Sequence, residues 1–71
     1  PEAEPYLRAA WLLDRPAERF TVVEDSATGA AAGLAAGMRT ILWPQGCVAG
    51  VPSGAVIANG SARLRFLLVD V

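Results

Sequence analysis

Apolar and polar stretches alternate along the chain in a way that predicts an α/β fold. The short, β-branched run over residues 20–23 predicts a strand buried on both faces, and residues 39–43 predict a second strand. Between them lies an Ala-rich segment that predicts a helix, with Ser26 as its N-cap and Gly37 as its left-handed C-terminal residue. Because the connection is so short and helical, the two strands are predicted to be parallel.

Weaker patterns flank this central unit. A first helix is predicted to begin near Pro5 and to break at Arg15-Pro16, with an apolar stripe formed by Tyr6, Leu7, Ala10, Trp11 and Leu13. Residues 45–54 predict a loop, and residues 55–58 are compatible with a short third strand. A closing helix is predicted over residues 62–68, with Ser61 as its cap and with one apolar side formed by Leu64, Leu67 and Leu68.

The central helix carries glycines at every fourth position, namely Gly29, Gly33 and Gly37. This spacing places small atoms along one helical stripe. In a membrane such a stripe would indicate helix dimerisation, but the segment is too short to span a bilayer. We therefore expect close packing of this helix on the sheet. Separately, Trp11 and Trp43 are expected to be core or edge-packing aromatic residues.

Length and composition suit a part of a larger sheet protein. The 71 residues make one domain at most, 54% of them are apolar and only 18% are charged. A chain of this size buries only about 60% of its unfolded surface, so its margin of stability is small. The chain also starts with Pro1 rather than Met. These features lead us to expect a piece of a longer protein.

Charge and residue usage exclude several classes of function. A net charge of −1 with scattered arginines gives no field that would attract nucleic acid or an anionic membrane. The apolar run over residues 27–38 is too short to cross a bilayer. Cys47 is the single cysteine, so no internal disulfide forms and we expect a reducing, cytoplasmic compartment. The chain has no histidine, which excludes His-dependent triads and His-based metal sites within these residues.

Two adjacent carboxylates, Glu24 and Asp25, carry the strongest candidate chemistry. They follow the first predicted strand and precede the central helix, at the sheet edge where open α/β folds bind ligands. Consecutive strand residues point to opposite faces, so the pair can share an ion only where the strand ends. Oxygen ligands alone suit Mg²⁺, which completes its shell with waters or phosphate oxygens. The alternative is that the pair only ends the strand and favours the dipole of the next helix.

The stretch VVEDSATGAAAGLAAGM, residues 22–38, contains a hydrophobic strand, Glu-Asp-Ser, a Gly three residues on, Ala pairs and a closing Ala-Gly-Met. This order resembles the fourth signature motif of the haloacid dehalogenase-like (HAD) hydrolases, in the branch that includes phosphatases and β-phosphoglucomutase. Gly33 stands where Ala is more usual, which weakens the helix by about 1 kcal/mol. The opening PEAEPYL also resembles the tail of the third motif, whose Lys would be the residue just before Pro1.

The resemblance implies a Rossmann-like parallel sheet with flanking helices, of which residues 1–71 would form the C-terminal part. It implies a Mg²⁺-dependent phosphatase or phosphomutase that acts on a small phosphorylated metabolite, with Glu24 and Asp25 as metal ligands. The nucleophilic Asp, its acid/base Asp, the phosphate-holding Ser/Thr and the Lys would lie upstream, so these residues alone are expected to be inactive. Since the nucleophile strand would pair with residues 20–23, we expect that run to form an exposed sheet edge, a hazard for self-association.

Two other classes of protein stay open at this point. A non-catalytic interaction or structural module would share the same strand–helix–strand pattern, since a fold alone does not determine function. A receiver-like phosphoacceptor domain would need an acceptor Asp on another strand. The remaining acids considered for that role lie in predicted loop or terminal positions: Asp14, Glu18 and Asp70.

Overall fold

The computed structural model describes residues 2–69, which form a small α/β fold in the predicted order. Its α-helices and strands are α1 Glu4–Leu12, β1 Thr21–Glu24, α2 Ala27–Ala35, β2 Arg39–Leu42, β3 Val56–Ile57 and α3 Ser61–Val69, with a 3₁₀ turn at Ala17–Arg19. The three strands are parallel and lie in the order β1-β2-β3. The α/β class, the parallel pair and the short third strand are confirmed. Asp70 lies outside the described residues, as do Pro1 and Val71.

One face of the sheet is covered by α1 and α2. Side chains alternate along a strand, so Val22 of β1 and its registered neighbour Thr40 of β2 point to the same face. Val22 belongs to a buried cluster with Ala10 of α1 and with Ala36 and Met38, which follow α2. The close packing of α2 on the sheet that its glycines predict is therefore confirmed.

The opposite face is covered by α3. Ile41 of β2 is fully buried in a cluster with Ala58 and Leu67, and Trp43 packs against this cluster as predicted. Arg39 at the start of β2 donates a hydrogen bond from Nη1 to the carbonyl of Leu67 at 3.0 Å. This bond satisfies one carbonyl in the last turn of α3, where a cation is also favoured by the helix dipole.

Both predicted ends of α2 are confirmed. The Ser26 hydroxyl accepts a hydrogen bond from the N–H of Gly29 at 3.0 Å, which is the expected N-cap contact. At the other end Gly37 has φ 79°, in the left-handed region. The N–H groups of Gly37 and Met38 donate to carbonyls of the last helical turn at 2.9 and 3.1 Å. This pair of bonds forms a Schellman motif, which ends the helix and turns the chain towards β2.

The apolar stripe predicted for α1 is wrong for most of its members. Ala10 is buried and Tyr6 is half-buried, but Leu7, Trp11 and Leu13 are exposed by 47%, 75% and 63%. The physical reason is that α1 contacts the sheet through one narrow side. Within residues 2–69 no other element covers the remaining apolar side chains, so Trp11 is not a core residue.

The end of α1 also differs from the prediction of a break at Arg15-Pro16. The helix ends at Leu12, and Asp14 adopts φ 54°, a left-handed conformation that Asp tolerates better than most residues. The N–H groups of Asp14 and Arg15 donate to the carbonyls of Trp11 and Ala10 at 3.1 and 3.2 Å. The helix therefore ends before Pro16 can interrupt it.

The C-terminal third needs only small corrections. Residues 45–54 contain no helix or strand, as predicted. Helix α3 starts at Ser61, and the Gly60 carbonyl accepts its first hydrogen bond from the Leu64 N–H at 3.2 Å, so Gly60 rather than Ser61 holds the N-cap position. Leu67 is buried and Leu64 packs against its cluster as predicted, whereas Leu68 is 39% exposed and does not belong to the buried side of the helix. None of the helices in the described part of the chain is long and apolar enough to cross a membrane.

Candidate metal site

The two predicted metal ligands lie at the carboxyl end of β1. Glu24 is the last residue of this strand, and Asp25 follows in the bend that leads to α2. The Glu24 carbonyl accepts a hydrogen bond from the Trp43 N–H at 2.7 Å, so the strand end is still attached to the β2 side of the sheet. The two acids therefore lie at the end of the strand, which is the position where consecutive residues can bind the same ion.

The Glu24 side chain lies between α1 and α2. Its Oε2 accepts a hydrogen bond from the hydroxyl of Tyr6 on α1. Its Oε1 lies against Gly29 in the first turn of α2, so closely that a Cβ on Gly29 would overlap this oxygen. The carboxylate fills the space that a side chain at position 29 would need.

The contact with Glu24 changes the acidity of Tyr6. Burial, the hydrogen bond to Glu24 and the negative charge of that carboxylate together raise the pKa of Tyr6 from 10.0 to about 12. Each of these factors favours the neutral phenol over the phenolate. Tyr6 therefore stays a hydrogen-bond donor to Glu24 at neutral pH.

Sequence reasoning placed Tyr6 in the apolar stripe of α1 and in the tail of the third motif, and it missed the role of the hydroxyl. The available signal was general: a Tyr hydroxyl on a partly buried helix face needs a hydrogen-bond partner. Which partner it finds depends on how α1 crosses the sheet, because Glu24 is 18 positions away along the chain.

The donor set at this strand end fits Mg²⁺ by its chemistry. Glu24 offers a half-buried carboxylate and Asp25 an exposed one, and Mg²⁺ takes one or two carboxylates together with waters or phosphate oxygens. One oxygen of Glu24 already accepts the Tyr6 hydrogen bond, so Asp25 is the more accessible ligand. Among residues 2–69 no group of three or more Asp, Glu, Cys or His side chains converges. The pair would therefore supply only part of a metal shell.

A separate cleft of about 310 Å³ lies at the carboxyl ends of β2 and β3. Its walls are mainly apolar and come from the strand ends and the loop over residues 45–54; they include Leu42, Pro44, Val48, Val51 and Ile57, with Cys47 and Asn59. Neither Glu24 nor Asp25 lines this cleft. Cys47 is exposed, and the chain contains no histidine that could act as a general base to activate its thiol.

Comparison of the chain with models of protein families, with curated proteins and with solved structures finds no match. The HAD resemblance therefore rests on the motif residues themselves.

Proposed function

We propose that this chain carries the metal-binding part of a HAD-type phosphoryl-transfer site. The observation that carries the proposal is the position of Glu24 and Asp25 at the carboxyl end of a parallel strand, directly before a helix capped by Ser26. The left-handed Gly37 at the end of that helix also supports it, because the motif closes with a glycine at this point. A Rossmann-like HAD core is the architecture that we infer from these features.

In this proposal Asp25 binds Mg²⁺ directly, because its carboxylate is open to solvent. Glu24 binds or orients the ion through the same shell, because one of its oxygens is engaged by Tyr6. Mg²⁺ held by these residues would supply the positive charge that stabilises a phosphoryl group during its transfer to or from a small phosphorylated metabolite. In this proposal Glu24 and Asp25 position the metal ion and form no covalent bond with the substrate.

Phosphoryl transfer also needs a nucleophile and further phosphate-binding groups in the right geometry. We propose that these groups belong to chain upstream of Pro1, so that residues 1–71 are the C-terminal part of the core and are inactive alone. The free edge of β1 supports this arrangement. In the described residues β1 pairs with β2 on one side only, and Val23 is 39% exposed although the strand has a sequence suited to the centre of a sheet.

A Mg²⁺ titration followed by backbone NMR tests this proposal. We expect millimolar Mg²⁺ to shift the amide resonances of Glu24, Asp25 and Ser26, and we expect Asp25→Asn to abolish these shifts. Asp14→Asn is the matched control, because Asp14 is an exposed acid at the end of α1, and it should leave the shifts unchanged. A wild-type protein that shows no response to millimolar Mg²⁺ would contradict metal binding.

The coding sequence upstream gives a second test of the same proposal. A Lys directly before Pro1, and an Asp-x-Asp that follows an apolar strand farther upstream, are expected for a HAD hydrolase. A different residue before Pro1 and no such Asp pair would favour a protein without this activity.

A non-catalytic interaction module is the second candidate, and the surface of α1 favours it. Four large apolar side chains of this region are exposed by 47% to 75%: Leu7, Trp11, Leu12 and Leu13. Exposed apolar groups that lie together are typical of surfaces that bind other proteins. In this reading Glu24 and Asp25 only end β1 and stabilise the dipole of α2. If the wild-type protein shows no NMR response to Mg²⁺, the interaction module becomes the preferred function.

A further inference from the structure

A hydrogen bond connects the first helix to the candidate metal site. The Tyr6 hydroxyl donates to Oε2 of Glu24, and the Tyr6 ring packs against the buried cluster that contains Ala10 and Val22. The ring is therefore held by apolar contacts with both α1 and the sheet.

The opposite side of the Glu24 side chain faces α2. A Cβ on Gly29 would overlap the Oε1 and Cδ atoms of Glu24 and would lie 3.0 Å from its Cγ atom. The carboxylate is thus enclosed between a phenol on α1 and the first turn of α2.

We propose that Tyr6 is a positioning residue for the metal site: its hydroxyl holds the Glu24 carboxylate at the strand end that Asp25 follows. This inference rests on the proposed function, in which Glu24 and Asp25 hold Mg²⁺. Carboxylates that bind metals are themselves hydrogen-bonded, and loss of such an outer partner typically lowers metal affinity by about 10- to 100-fold. The alternative role for Tyr6 is to anchor α1 on the sheet without effect on the ion.

Tyr6→Phe separates these two roles because it removes the hydroxyl and keeps the ring that packs on the cluster. We expect its Mg²⁺ affinity, measured by the NMR shifts of Asp25 and Ser26, to fall by about 10-fold while the rest of the spectrum is retained. Trp11→Phe is the control, because Trp11 lies on the same helix and is 75% exposed, so the Mg²⁺ affinity of this variant should equal that of the wild type.

A second measurement uses the wild-type protein and does not depend on how well the variant folds. Tyr6 is the single tyrosine of the chain, so all tyrosine ring resonances belong to this residue. We expect Mg²⁺ to shift these resonances with the same midpoint as the Asp25 amide.

The outcomes of the two experiments are distinct. If the wild type binds Mg²⁺ but Tyr6→Phe binds it equally well, or if the Tyr6 ring does not respond to the ion, the positioning role is overturned and the metal site stands. A lower unfolding free energy of Tyr6→Phe with unchanged affinity would likewise assign Tyr6 to anchoring alone. If the wild type does not bind Mg²⁺, the proposed function fails and the positioning role fails with it.

Discussion

Gly29 provides the sharpest test of how the Glu24 carboxylate is placed. Gly29 lies in the first turn of α2 and is not among the glycines with positive φ, so an alanine there meets no backbone strain. Alanine is more favourable than glycine in a helix by up to about 1 kcal/mol, the value for interior positions. On helix propensity alone, Gly29→Ala should therefore stabilise the protein.

Contact with Glu24 reverses that expectation. The new methyl group would overlap Oε1 and Cδ of Glu24, so the end of this side chain must move. That movement costs little in itself because the side chain is flexible, and the cost that we predict is the loss of its hydrogen bond to Tyr6. A hydrogen bond to a charged group contributes about 1.5–3 kcal/mol to stability. After subtraction of the gain in helix propensity, Gly29→Ala should lower the unfolding free energy by about 0.5–2 kcal/mol. The lower part of this range is expected, since solvent reaches the half-buried pair.

Urea unfolding of four proteins measures this effect: wild type, Gly29→Ala, Glu24→Ala and the double variant. In the Glu24→Ala background the methyl group has room, so Gly29→Ala should stabilise by about 1 kcal/mol. The expected result is thus a change of sign between the two backgrounds, which a double-mutant cycle detects directly. If Gly29→Ala changes the unfolding free energy equally in both backgrounds, the placement of Glu24 against α2 is refuted.

Tyr6 and the edge of β1 give two further predictions. Because the pKa of Tyr6 is raised from 10.0 to about 12, its contribution to stability is fully present below about pH 10 and is lost as the pH rises towards 12. Urea unfolding should show a loss of about 1 kcal/mol, a value reduced for solvent screening, and Tyr6→Phe should lack this loss; an equal loss in both proteins would contradict the assignment. Val23→Lys should abolish concentration-dependent self-association in sedimentation velocity, because a lysine on an edge strand opposes strand pairing. Leu12→Lys on α1 is its control, and suppression by this variant alone would assign association to α1 instead.

The central unit could be predicted because each of its parts has a local signal. Ser26 caps the helix that directly follows it, and Gly37 supplies the one positive φ that the helix end requires. The parallel pairing of β1 and β2 follows from the short helical connection between them. The positions of Glu24 and Asp25 at a strand end then follow from the strand boundary alone.

Features that depend on distant contacts could not be predicted in this way. Helical spacing groups Leu7 and Trp11 with Ala10, but it does not tell how much of that stripe another element covers. In the same way, the Tyr6 hydroxyl finds its partner only once α1 is docked on the sheet. Periodicity reports which residues share a face, whereas burial depends on the layers that the whole fold supplies.

Gly33 shows how packing of α2 reaches the candidate site. In the sequence it is only a residue that weakens the helix, yet a Cβ there would lie 2.8 Å from Oγ1 of Thr40 and 3.2 Å from Cβ of Val22. Thr40 is buried and its hydroxyl donates to the Met38 carbonyl at 3.1 Å, so it does not yield easily. The absent methyl group lets α2 approach the sheet closely, and one turn earlier the same approach brings Gly29 against Glu24. Gly33, which departs from the motif that this stretch resembles, thus helps to set how closely α2 approaches Glu24, although it does not touch the acid itself.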